Sequence, residues 1–89
     1  MIEIAFSSSF KRAFKKNVAG NASLETRFWE RVELFKNNPF DPKLRTHKLS
    51  GKLKDLWSFS IEYDLRVVFS FAGQGRAIFV DIGGHKEVY

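Results

Sequence analysis

The stretch LWSFSIEYDLRVVFSFAGQGRAIFVDIG, residues 56–83, limits most tightly what this chain can fold into. In its first run Trp57, Phe59, Ile61 and Tyr63 alternate with Ser58, Ser60, Glu62 and Asp64. In the second, Leu65, Val67, Phe69 and Phe71 alternate with Arg66, Val68 and Ser70. A period of two belongs to a β-strand, whose successive side chains point to opposite faces. Asp64 falls between these runs, where aspartate suits a turn. AGQGR, residues 72–76, reads as a hairpin loop into AIFVDIG, which is apolar almost throughout, as a central strand is. These three strands predict a mostly antiparallel sheet with one apolar face that something else must cover.

The first half of the chain supplies the cover. IEIAF, residues 2–6, alternates like a short strand, and the serines at 7–9 offer helix N-caps. Phe10, Ala13, Phe14 and Asn17/Val18 recur at helical spacing, with Lys11, Arg12, Lys15 and Lys16 on the other face and Gly20 as a stop. A second helix starts near Ser23, carries Leu24, Phe28, Val32 and Phe35 on one stripe, and ends at Asn37–Pro39. Residues 40–55 hold Pro, Gly and several cations with little periodicity. The predicted order is β-α-α-β-β-β. It is an α+β fold with two helices packed on one face of a four-stranded, mostly antiparallel sheet. Ser58, Ser60, Glu62 and Arg66 then occupy the other face, which is left for function.

A chain of 89 residues, 44% hydrophobic and with ten Phe, is expected to form one domain, residues 1–89, around a core that needs no staples. It has no cysteine, which excludes a disulfide framework and a thiolate metal site. No apolar run approaches the ~20 residues of a membrane span, and the N-terminus does not read as a signal peptide. The expectation is a soluble cytoplasmic protein. A formal net charge of +5 on so small a body favours a polyanionic partner, either nucleic acid or an acidic protein.

Phosphate-binding loops, HExxH and nucleophilic cysteines are all absent. The two histidines, His47 and His85, are not at the i, i+4 spacing of a helical metal site, so no metal or cofactor is implied. RNA can be cut without one, because its own 2′-hydroxyl is a nucleophile. The protein must then supply a base, an acid for the leaving 5′-oxygen, and cations for the charge on phosphorus. His47, Asp64, Arg66 and His85 can fill those roles, with Lys and Arg from residues 40–55. Each also has an ordinary use: Asp64 in a turn, Arg66 paired with Glu62, His85 capping a strand, and Tyr89 packing its ring.

Their order along the chain favours the chemical reading. HKLSG, IEYDLRVVF and GGHKEVY, within residues 47–89, together resemble the RelE/ParE superfamily of bacterial toxins, in particular its YafQ-like mRNA interferases. The first half resembles that family in pattern only. The resemblance implies a RelE-like fold and a toxin of a type II toxin–antitoxin system that cleaves mRNA in the ribosomal A site. HKLSG matches H-x-L-x-G and implicates His47. IEYDLRVVF implicates Asp64 and Arg66, and GGHKEVY matches G-x-H-x-x-x-[FY] and implicates His85 and Tyr89. Some YafQ-like members carry a further histidine where this chain has Ser60. Asp64 or His85 would act as base and the other, or His47, as acid. Arg66 would stabilise the phosphorane and Tyr89 would position a base. Lys43, Arg45, Lys48, Lys52 and Lys54, with Lys11, Arg12, Lys15 and Lys16, would grip RNA. The implied partners are a cognate antitoxin, mRNA and the ribosome, with the free toxin monomeric and forming a hetero-oligomer with antitoxin. Two rival readings are a ParE-like inhibitor of DNA gyrase and a binding module without activity.

The Gly83–Gly84 pair allows a sharp turn off the final strand. Such a turn is expected to swing His85 over the polar face and bring Tyr89 within reach of a base.

Overall fold

The computed structural model describes residues 1–51 and 55–84. In order the elements are β1 (Glu3–Phe6), α1 (Ser8–Asn17), α2 (Ala22–Asn37), a 3-10 turn (Pro42–Leu44), β2 (His47–Lys48), β3 (Trp57–Glu62), β4 (Leu65–Phe71) and β5 (Arg76–Gly83). The sheet order is β1-β5-β4-β3-β2, with β1 parallel to β5 and the other neighbours antiparallel. This is the expected α+β arrangement with five strands instead of four. The extra strand, β2, pairs His47 with Ser58 and Lys48 with Trp57. Two residues are too few for alternation to show in a sequence.

Helix boundaries follow their caps. Ser7 Oγ accepts from the Phe10 N–H at 3.1 Å and Asn21 Oδ1 accepts from the Leu24 N–H at 3.2 Å, each satisfying a donor that the first helical turn leaves over. Lys15 and Lys16 stand in the last turn of α1, where cations complement the helix dipole. The chain leaves α1 through Gly20 at φ +89°, a conformation that costs a residue without Cβ little.

The core lies between the helices and one face of the sheet. Phe10 and Val18 pack beside Phe28, Val32 and Phe35, against Phe59, Ile61, Val67, Phe69, Phe79 and Ile82, all buried. Phe79 is its hub, with ring centroids 5.4–6.3 Å from those of Phe6, Phe10, Phe35, Phe59 and Phe69. A bulge makes this possible. Val68 pairs with Asp81 and Phe69 with Phe79, so Val80 is an extra residue on β5. Strict alternation from Phe79 would turn Asp81 inward; the bulge turns Asp81 to the outer face and restores Ile82 to the core.

Beyond Phe79, β5 has no pairing with β1. Helix α1 covers that edge. Ser9 Oγ donates to the bulged Val80 carbonyl at 2.7 Å, and Asn17 Nδ2 donates to the Ile82 carbonyl at 2.9 Å. A strand edge so covered offers no template for pairing with another chain. Asn17→Ala is expected to lower stability by about 1 kcal/mol, the net worth of such a bond. Urea unfolding would check it, and no change would mean that the helix is held by packing alone.

Two residues depart from the sequence pattern. Alternation puts Tyr63 on the apolar face, but β3 ends at Glu62 and Tyr63 is 95% exposed. Alternation puts Ser58 on the open polar face, yet it is buried, as is Val68 beside it. The outer face is therefore open only toward one end of the sheet.

Candidate active site

At that end, Glu62 pairs with Leu65 and leaves Tyr63 and Asp64 as a two-residue turn. Neither has a positive φ, so the turn is not of the mirror-image type that matches strand twist. Ile61, an extra residue between the Ser60 and Glu62 pairings, bulges next to it and supplies twist.

The register then gathers the site. Ser60 pairs with Arg66, and Arg66 pairs with Gly83. Side chains of cross-strand partners lie side by side on one face, and Gly83 presents none beside Arg66. The next residue, Gly84, meets the turn: a Cβ built there would stand 3.2 Å from Asp64 Oδ2 and 3.4 Å from its backbone oxygen. Asp64, Arg66, Gly83 and Gly84 thus form one corner.

His47 shares the outer face through its pairing with Ser58, one row along from Arg66 and two strands further out. Its Cα lies roughly 12 Å from that of Arg66, taking ordinary strand spacings. His47 Nδ1 is 3.1 Å from the Arg45 carbonyl. In the neutral ring, Nδ1–H donating to that oxygen makes Nε2 the basic nitrogen. Arg45 is in the left-handed region, φ 53° and ψ 41°, capping the 3-10 turn. A side chain there costs of order 1 kcal/mol or more. The segment is held in place by buried Leu44, by Asp41 Oδ1 accepting from the Lys43 N–H at 2.9 Å, and by Thr46 Oγ1 donating to the Pro39 carbonyl.

Lys43, Arg45, Ser60 and Arg66 line one cavity of about 330 Å³, together with Glu62 and Arg31. Arg31 is absent from the expected set. It follows Phe28 by three residues and precedes Phe35 by four, so the only sequence signal was a cation on the flank of an apolar stripe. Other expected residues are not brought here. Lys48 pairs with Trp57 and so points to the opposite side of the sheet from His47. Lys11, Arg12, Lys15 and Lys16 are exposed on α1, on the helical side. Lys11 instead borders an apolar groove of about 200 Å³ between the helices, lined by Phe6, Phe10, Phe14, Phe28 and the half-exposed Trp29. Lys52, Lys54, His85 and Tyr89 lie outside the described residues. Among the described residues no three His, Cys, Asp or Glu side chains gather to hold a metal ion, and no helix is long and apolar enough to cross a membrane.

A family model described as "Bacterial toxin of type II toxin-antitoxin system, YafQ" matches residues 2–89. Solved structures also align along the whole molecule. A metal-bound toxin from Helicobacter pylori is 27% identical over 100% of both chains, with a TM-score of 0.79. YafQ from E. coli strain BL21(DE3) is 17% identical over 100% of this chain and 99% of its own, also at 0.79. The YoeB–YefM complex from Staphylococcus aureus matches at 17% identity over 96% of this chain and 98% of its own, at 0.76. The last two show likeness of fold alone. No curated protein matches the sequence.

Proposed function

Because this chain belongs to the YafQ family of bacterial type II toxins, we propose that it is a ribosome-dependent endoribonuclease that cleaves mRNA in the A site. The observation carrying this reading is the corner where Asp64, Arg66 and Gly84 converge beside a cation-lined cavity. Residues 1–89 act as one toxin domain in the bacterial cytoplasm. The 2′-oxygen attacks phosphorus as its proton passes to Asp64 or His85. The bond to the 5′-oxygen then breaks, and that oxygen takes a proton from the other of the pair or from His47. The products are a 2′,3′-cyclic phosphate and a 5′-hydroxyl, with no water consumed and no electron transferred. Arg66 stabilises the charge that builds on the phosphoryl oxygens, and Tyr89 stacks on a base, worth about 1–3 kcal/mol. Lys52 and Lys54 join the cations that hold the RNA backbone.

An acidic, amphipathic antitoxin is the protein partner, as the YoeB–YefM complex suggests by analogy. The groove beside Trp29 and the exposed cations of α1 suit an amphipathic segment.

Induction in bacteria followed by primer extension on a highly translated mRNA tests the reading. In-frame cuts that vanish in Asp64→Ala and His85→Ala support it. Growth arrest with intact mRNA would replace it with gyrase inhibition, and no arrest would leave a binding module. Gly84→Ala is a milder probe. Its methyl would press on the Asp64 carboxylate and shift it by a few tenths of an ångström, which is expected to slow cleavage by less than the ~100-fold that a misplacement of about 1 Å costs, with little loss of stability. Unchanged cleavage would mean that the Asp64 carboxylate yields to the methyl, and unchanged cleavage in Asp64→Ala would remove Asp64 from the chemistry.

A further inference from the structure

We infer that the cavity at the open edge of β3 is a binding subsite for an RNA phosphodiester neighbouring the one cleaved, and that Arg31 is its inner cation. This rests on the RNA-cleaving reading above. Among the described residues, Arg31, Lys43, Arg45 and Arg66 face the space with Glu62 as the one carboxylate, so four cations oppose one anion. They come from three separate parts of the fold, α2, the 3-10 turn with its cap, and β4, and a chance run of surface lysines would not. Arg31 and Arg66 are half-buried, where an anion is attracted more strongly than at a fully wet surface. Arg31 Nη1 donates to the Lys43 carbonyl at 3.3 Å, which ties helix α2 to the 3-10 turn and leaves its other N–H groups to face the cavity. The left-handed Arg45 follows directly in the chain. Backbone strain held at a residue that faces a cavity is a mark of function. The volume, about 330 Å³, suits a phosphate with its sugar. Arg66 borders both this cavity and the Asp64 corner, so the two phosphates lie on neighbouring stretches of a single strand.

The test uses the purified full chain and a 2′-O-methyl trinucleotide, which cannot be cleaved, with either charged linkages or one neutral methylphosphonate. Affinity is read by fluorescence anisotropy at several salt concentrations. Arg31→Ala is expected to weaken binding of the charged probe about fivefold to tenfold and to lower the salt slope by about one phosphate contact. The neutral linkage at the flanking position should cost wild type the same factor and Arg31→Ala almost nothing. Arg45→Gln should show the same loss of sensitivity, which keeps the test valid if Arg31→Ala unfolds. Equal sensitivity of all three proteins overturns the inference, as does failure of wild type to bind. Weakened binding of an acidic peptide with unchanged binding of the trinucleotide also overturns it, by giving the cavity to a protein partner. A wild-type chain that leaves mRNA intact yet passes the linkage test would refute the cleavage reading alone.

Discussion

Arg66→Ala protein is expected to cut a translated mRNA about 10²- to 10³-fold more slowly than wild type, the usual cost of losing one donor to a developing anion. In-line attack puts extra negative charge on the phosphoryl oxygens at the moment the 5′-oxygen departs. Arg66 sits between Ser60 and Gly83 at the open end of the sheet, so its guanidinium is carried on paired backbone on both sides. A cation carried on a fixed backbone position needs less reorganisation when the charge appears, and the benefit falls on the transition state. Arg66→Lys should recover only part of the rate, because an ammonium cannot present two parallel donors. Single-turnover cleavage on stalled ribosomes reads the chemical step directly, and circular dichroism checks that the variants fold. A rate within threefold of wild type would assign Arg66 to the surface.

Phe79→Ala is expected to cost about 3–5 kcal/mol. The ring is fully buried and meets five other aromatic rings from β1, α1, α2, β3 and β4. A domain of this size has roughly 5–15 kcal/mol in total, so the variant should stand at the edge of unfolding at 37 °C. Urea denaturation would show it, with Phe79→Leu as the milder comparison. A change below 1 kcal/mol would mean that the core is organised around another residue.

The sequence pattern carried the helices and β3, β4 and β5, because each has enough residues for its period to repeat; the serines at 7–9 also marked the start of α1, whereas α2 is capped by Asn21, two residues before the expected start at Ser23. What it missed depends on register. Nothing local marks Val80 as a bulge; its place is set by Ser9 across the fold and by the need to bury both Phe79 and Ile82. Tyr63 continued the alternation by one residue beyond the last strand pair, since periodicity does not say where hydrogen bonding stops. Asp64 and Arg66 were legible as candidates, but only pairing across β4 and β5 brings Gly84 to Asp64. Arg31 was illegible because its partner, the Lys43 carbonyl, belongs to the backbone.

The parallel pairing of β1 with β5 also has a consequence for biosynthesis. Ile4 must wait for Ala77, and Phe6 for Phe79. Pairings so distant in sequence are made late and slowly. A nascent chain shorter than β5 has neither the hub of its core nor the strand that carries Gly83 and Gly84 to the turn. The protein cannot assemble its corner of Asp64 and Arg66 while most of it is still being translated; the corner forms only when the sheet closes.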